Sequence, residues 1–152
     1  MHEILILLAS GLFGGVLGYW FSVFKRSQET KARKAILLQL LRKELKSIGG
    51  ALDPYNVAKA FYRDPLRLGT PERLLDAETL EYDKDEALVN LLLHLQVAVA
   101  RHNDFVSLTN HAQAVISVPD NVHAQWYSDL QQRNGAVVAV RDALLNELEN
   151  RA

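Results

Sequence analysis

The chain has 152 residues, with 17 Lys and Arg, 18 Asp and Glu, and no Cys. The absence of cysteine excludes disulfide bonds and thiol catalysis and is typical of a reducing compartment. Residues 25–46 carry eight basic and two acidic side chains, whereas residues 47–152 carry a net charge of −6. An acidic body of this kind argues against a nucleic acid partner.

The N-terminal stretch, residues 4–24, contains 21 residues without a charge. As a helix it would be about 31 Å long, close to the thickness of the hydrocarbon core of a bilayer. We therefore predict a transmembrane helix. A buried core helix is one alternative, but such helices rarely run this far without a charge. A cleaved signal peptide is the other, but its basic leading region is missing here.

Aromatic and basic residues at the end of this stretch predict its orientation. Tyr19 and Trp20 suit an interfacial aromatic belt, and Lys25 and Arg26 follow directly. The positive-inside rule predicts a single-pass protein of the cytoplasmic (inner) membrane, with its C-terminal domain in the cytoplasm and its N-terminus outside. The predicted lipid-headgroup contacts are Tyr19, Trp20, Lys25, Arg26, Lys31, Arg33 and Lys34. Alternatively, these charges only orient the chain and are otherwise solvated.

Small residues mark one side of the same stretch. Four of them recur at every fourth position, and a second pair lies beside them: Ser10, Gly14, Gly18 and Ser22, with Gly11 and Gly15. Small residues allow close contact between helices in lipid. The predicted partners are thus the lipid bilayer and another transmembrane helix, from a second copy or a different protein. The alternative is that glycine is simply frequent in membrane helices.

The following segment is predicted to prolong this helix, because no Pro or Gly interrupts residues 19–48. Its helical part, residues 27–48, carries an apolar stripe, Leu37, Leu38, Leu41, Leu45 and Ile48, and should end at Gly49 and Gly50. Asp53-Pro54 predicts a short helix over residues 54–62. Thr70-Pro71 predicts another through Leu75, with Thr70 as its cap.

Two long helices are predicted in the C-terminal half. The first runs from about Lys84 to Val115, with a stripe on one side: Leu88, Leu91, Leu92, Leu95, Val99, His102 and Val106. Leu93, Val97 and Ala98 widen this stripe, so we expect the helix to pack on more than one side. The second runs over residues 122–150 after a turn at 119–121. Its core spacing is that of a coiled coil: Tyr127, Leu130, Asn134, Val137, Arg141, Leu144 and Leu148.

The predicted fold class is all-α, since no strand pattern of useful length occurs. One N-terminal transmembrane helix continues into a cytoplasmic helix, and a small antiparallel helical bundle follows. The predicted domains are a transmembrane anchor at residues 1–24, a basic juxtamembrane amphipathic helix at residues 25–49 and a cytoplasmic helical domain at residues 50–152.

The sequence contains no pattern that indicates catalysis, a metal or a cofactor. His94, His102, His111 and His123 are too widely spaced for two of them to chelate one ion from a single helical face. The acidic residues at 78–86 lack the turn glycine of a calcium loop and are expected to serve the start of the next helix. Trp126 and Tyr127 are candidates for either the core or a partner contact.

These observations predict a non-enzymatic, membrane-anchored interaction protein, an accessory or scaffold subunit of a membrane-associated assembly. The alternative is a membrane-associated regulator, including a phage or defence factor, that acts by transient protein binding. No small-molecule substrate is evident from the sequence.

Overall fold

The computed structural model describes the backbone of residues 2–49, 52, 64–77 and 79–151 and, within these ranges, the side chains from residue 17 onward except at position 82. The described residues form four helices and no strand: α1 His2–Ser47, α2 Thr70–Asp76, α3 Tyr82–Val115 and α4 Asp120–Asn150. The predicted all-α class is confirmed for this part of the chain. The helix predicted at residues 54–62 lies outside the described residues.

The chain divides into two compact units, Met1–Ile36 and Leu37–Ala152. The first unit consists of the N-terminal part of α1 as far as it is described. The second contains the last turns of α1 together with α2, α3 and α4. The division falls at Leu37, where the apolar stripe of α1 begins.

The transmembrane prediction is not supported. Among the described residues, no helix combines the length and the apolar content that crossing a bilayer requires. The predicted location, a single-pass protein of the inner membrane with a cytoplasmic C-terminal domain, is therefore wrong.

Helix α1 runs without interruption to Ser47, as the absence of Pro and Gly from residues 19–48 predicts. Its predicted stripe is confirmed, because four of its residues, Leu37, Leu41, Leu45 and Ile48, are buried. They join one apolar cluster with leucines of α2, α3 and α4, including Leu74, Leu92 and Leu144. Burial of a leucine side chain of this kind contributes about 1.5–3 kcal/mol.

Helices α3 and α4 form the predicted long antiparallel pair, and two contacts define their register. Asp85 binds Arg151 at one end, and the Gln113 side chain lies 3.5 Å from His123 Nδ1 at the other. The step from Asp85 to Gln113 is 28 residues, as is the step from Arg151 back to His123. Since 28 residues are four heptads, the two helices keep coiled-coil spacing along this whole length. We call this pair the hairpin.

The heptad repeat accounts for the buried row of each helix. Eight residues of α3 lie on this row and are buried: Asp85, Leu88, Leu92, Leu95, Val99, His102, Val106 and Thr109. On α4 the buried residues of the row are Leu130, Asn134, Val137, Leu144 and Leu148. The core predicted for both helices is confirmed, except that Leu91, Tyr127 and Arg141 are only half-buried.

Two hydrogen-bonded contacts attach the shorter segments to this frame. Asn103 Nδ2 donates to the carbonyl of Leu66 at 2.8 Å, and Asn103 Oδ1 accepts from the N–H of Leu66 at 2.7 Å. The side chain of Glu44 accepts from the N–H of Thr70 at 3.0 Å. The predicted cap at Thr70 is wrong by one residue, because Gly69 is the N-cap and Thr70 is already helical.

The connection between α3 and α4 is shorter than predicted. Helix α4 begins at Asp120, two residues before the predicted start, and Pro119 is its N-cap. The carbonyl of Pro119 accepts from the N–H groups of Val122 and His123 at 3.0 and 3.1 Å. The turn predicted at residues 119–121 is therefore the first turn of the helix, which the φ angle of proline favours.

Candidate interaction surfaces

The described part of the first unit exposes a row of large apolar side chains. Leu17, Trp20, Phe21 and Phe24 are 54, 71, 75 and 59% exposed. Their spacing of i, i+3, i+4 and i+7 places them on one side of α1, where they surround an apolar depression of about 240 Å³. We call this row the aromatic ridge. The same spacing carries the anchor residues of helices that bind in apolar grooves of partner proteins.

The predicted small-residue row is described only at its C-terminal end. A Cβ atom at Gly18 would meet nothing within 4 Å, and Ser22 Oγ donates to the carbonyl of Tyr19 at 2.8 Å. The remaining predicted members lie in α1 but outside the part whose side-chain surroundings are described: Ser10, Gly11, Gly14 and Gly15. The contact of this row with another helix stays a prediction.

The basic residues that follow the ridge are solvated. Lys25 and Glu29 form an exposed ion pair at 3.9 Å, a class of pair that contributes at most about 1 kcal/mol. Arg26, Lys31 and Arg33 are exposed and Lys34 is half-buried. The lipid-headgroup contact predicted for these residues, and for the exposed Tyr19 and Trp20, depended on the membrane location that is contradicted above.

A second surface lies on the hairpin, along one side of the seam between its helices. It is an open groove of about 570 Å³. Both helices contribute lining residues, which are His94, Val97, Ala98, Arg101, Asp129, Gln132, Arg133 and Ala136. None of them comes from α1, α2 or residues 64–69. The groove is therefore a face of the hairpin that the other described segments leave uncovered.

Helix α3 packs against both α4 and α2, as the widened stripe predicts, but two of the three residues that widen the stripe are exposed. Leu93 and Val97 are 45 and 50% exposed, and only Ala98 is half-buried. In the heptad frame set by the buried row, Leu93 and Val97 fall at outward positions, which are polar in most coiled coils. Apolar residues at such positions form a surface that another chain can cover.

Arg133 lines the groove and makes two contacts with α3. Its guanidinium lies 4.7 Å from the centre of the Phe105 ring, and its Nη1 donates to the carbonyl of Arg101 at 3.1 Å. Asp129, one turn before it on α4, accepts a hydrogen bond at Oδ1 from the Gln125 amide at 3.0 Å. The acid and the base therefore stand one turn apart on the same helix, and each contacts a different neighbour.

Trp126 and Tyr127 have different surroundings. Tyr127 packs against Val106 and Leu130, and its hydroxyl accepts from Gln131 Nε2 at 2.9 Å. Trp126 is half-buried and meets His123 edge to face, with ring centres 5.8 Å apart. Tyr127 thus belongs to the small apolar cluster of the hairpin, whereas Trp126, one turn before Asp129 on α4, stays a candidate partner contact.

A buried polar layer crosses the middle of the hairpin. In the register above, His102 of α3 lies level with Asn134 of α4, and the two side chains are only 4 and 5% exposed. Neither amide atom of Asn134 has a hydrogen-bond partner. A buried amide without a partner destabilises a fold by about 1–3 kcal/mol. In coiled coils such residues serve specificity at the cost of stability.

An ion pair closes the far end of the hairpin. Asp85 is 1% exposed and binds Arg151, and its second carboxylate oxygen accepts from the N–H of Glu81 at 2.8 Å. Burial lowers the pKa of Arg151, but hydrogen bonds to Glu147 and Asp85 outweigh it and raise the pKa above its usual value. The arginine therefore keeps its charge at physiological pH.

The acidic residues at 78–86 were expected to serve the start of the next helix, and this expectation is confirmed in part. Asp83 and Asp85 lie in the first turn of α3, where carboxylates interact favourably with the helix dipole. Glu78 lies outside the described residues. Within the described ranges, no three His, Asp or Glu side chains converge as a metal site requires.

The comparisons with known proteins identify no relative. No protein family, curated protein or solved structure matches this chain.

Trp126 was predicted as a candidate contact from the sequence, whereas the groove was not. One signal was present in the heptad frame, because Val97, a lining residue, is apolar at an outward position of α3. Asp129, Arg133 and Ala136 share a face of α4 with Trp126 at steps of three and four residues. What the sequence alone lacked was the register, which places this face of α4 beside Arg101 and Phe105 of α3.

Proposed function

We propose that the protein is a non-enzymatic interaction protein, an accessory or scaffold subunit, that binds a partner protein through the aromatic ridge of α1. The observation that supports this most is the exposure of Leu17, Trp20, Phe21 and Phe24 in one row. Aromatic side chains bury 150–250 Å² each on binding and dominate interface energies. A row of this kind is stabilised when it is inserted into an apolar groove.

The basic residues beside the ridge indicate the charge that the partner protein should carry. Lys25 and Arg26 follow the ridge directly and are exposed. A partner groove with acidic residues at the matching end would align the helix and speed association, since complementary charge acts mainly on orientation and on-rate. The partner we propose is therefore a protein with an apolar groove and an acidic rim, and it need not contact the second unit.

Site-specific photo-crosslinking tests this proposal. A photoreactive residue at Phe21 should crosslink a defined partner, whereas the same residue at Val23, off the ridge on the same helix, should crosslink it far less. The partner is then purified and its affinity measured by calorimetry. Trp20→Ala and Phe21→Ala should each weaken binding about 30-fold, because central aromatic anchors contribute about 2 kcal/mol or more.

Tyr19 and Val23 provide the matched control, because both are exposed apolar residues of the same helix outside the ridge. The double variant Tyr19→Ala, Val23→Ala should bind within about threefold of the parent. If the ridge variants and the control variant lose equal affinity for the partner, the ridge is not the binding surface. The lifetime of the complex separates two modes: a complex that survives gel filtration is a stable assembly, and one that dissociates within seconds indicates a transient regulator.

A further inference from the structure

The face of α4 beside the groove carries a pattern that is complementary to itself. Its four residues are Trp126, Asp129, Arg133 and Ala136, spaced i, i+3, i+7 and i+10. Read along the helix, they run large, acidic, basic, small. Read in the opposite direction, they run small, basic, acidic, large. Two copies of this row packed antiparallel would therefore place Trp126 against Ala136 and Asp129 against Arg133, twice each.

We propose that this row is the interface for a second copy of the chain, which docks antiparallel on α4 and forms a twofold-symmetric dimer of hairpins. A twofold interface uses the same patch on both subunits and must be self-complementary, as this row is in both size and charge. The proposal concerns the second unit and does not depend on the function proposed for the aromatic ridge.

The contacts within one chain leave the charged pair suited to a partner. Arg133 directs its guanidinium to the Phe105 ring and the Arg101 carbonyl, and Asp129 binds the neutral amide of Gln125. A guanidinium has five donors and a carboxylate has about four acceptor sites, so each can take a further charged hydrogen bond. Half-burial of both side chains limits the solvent screening of such a bond.

The opposite helix of the hairpin supports the same symmetry. The dimer axis passes midway between Asp129 and Arg133, at the level of residue 131, which in the hairpin register lies level with Phe105. Phe105, whose ring contacts Arg133, therefore lies at the level of the axis in both copies. Val97, half-exposed on the same side of α3, widens the apolar area beyond the row. Two hairpins packed face to face form a four-helix arrangement, a common stable architecture.

Exchange of the two charges tests the proposal by rescue. Asp129→Arg alone and Arg133→Asp alone should each raise the dimer dissociation constant about tenfold or more, because two attractive pairs become two repulsive ones. The double variant Asp129→Arg, Arg133→Asp restores opposite charges across the interface and should return to within about threefold of the parent. Sedimentation equilibrium of the full-length protein measures each constant.

Two controls make the outcome decisive. Glu149→Arg introduces the same charge change at an exposed position of α4 outside the row and should leave the dissociation constant unchanged. The series is repeated in the background Trp20→Ser, Phe21→Ser, which removes self-association through the ridge, and circular dichroism verifies the helical fold of each variant. A monomeric parent, or folded single and double variants with equal dissociation constants, would overturn the proposal.

Discussion

The two halves of the hairpin follow one heptad repeat and are filled very differently. The half near Asp85 and Arg151 belongs to an apolar cluster that has 14 buried members among the described residues and includes parts of α1 and α2. The half near the connection contains a second cluster in which Val106 and Leu130 are the two buried members. We refer to these as the covered half and the open half.

The layers between the helices show the same contrast. In the covered half, Leu92 lies level with Leu144 and Val99 with Val137. The next layer toward the connection pairs His102 with Asn134, and Gln113 meets His123 at the last one. A heptad repeat therefore specifies that two helices pair, whereas the residues on the repeat decide how much free energy the pairing provides. The open half therefore gains less free energy from its own core than the covered half does.

The largest expected effect comes from the centre of the covered half. Leu92→Ala should lower the free energy of unfolding by about 2–5 kcal/mol, because Leu92 is fully buried and its removal leaves a cavity. Urea denaturation followed by circular dichroism measures it. A loss below about 1 kcal/mol would show that the covered half is not the main source of stability.

The second largest loss in the free energy of unfolding is expected from breaking the ion pair that closes the covered half. Arg151→Met removes the charged partner of Asp85, a carboxylate that is only 1% exposed. We expect a loss of about 2 kcal/mol, less than for a fully buried pair because Arg151 is partly exposed. Lys84→Met is the matched control. Lys84 pairs with Glu81 on the surface, so this variant should lose almost no free energy of unfolding. Equal losses for the two variants would contradict the role of burial.

The polar layer predicts a change in the opposite direction. Asn134→Leu replaces a buried amide without hydrogen-bond partners by an apolar group of similar size. The free energy of unfolding should rise by about 1–2 kcal/mol. Amide hydrogen exchange should slow mainly in the open half, at residues 102–115 and 120–134, which would reduce the difference between the halves. A destabilised variant would show that the amide has a partner in solution.

The smallest effect concerns the backbone of the open half. A Cβ atom at Gly135 would meet nothing within 4 Å, and the position is an exposed helix interior. Gly135→Ala should therefore stabilise the protein by about 0.8–1 kcal/mol through helix propensity alone. Thermal denaturation at fixed pH and salt measures it. Gly49→Ala is the contrasting case: its Cβ would lie 3.1 Å from Arg141 Nη1 and 3.3 Å from the Lys46 carbonyl, so no gain is expected.

Much of the fold could be predicted from the sequence. The continuity of α1, the stripe from Leu37 to Ile48 and the extent of α3 and α4 follow from local periodicity and from the positions of Gly and Pro. These are properties of segments a few turns long, and the same side chains that give a helix its period also decide which side is buried. The heptad spacing of α4, with Asn134 on its buried row, was likewise readable from the chain.

Other features depended on contacts between distant residues. Asp85 and Arg151 are 66 positions apart, as Asn103 and Leu66 are 37 apart, and nothing in either local sequence indicates the partner. The exposure of Leu93 and Val97 was predicted wrongly for the same reason. An apolar side chain shows that burial would be favourable, but only the tertiary structure determines whether another segment covers it. The groove and the self-complementary row on α4 are accessible because no other segment among the described residues covers them.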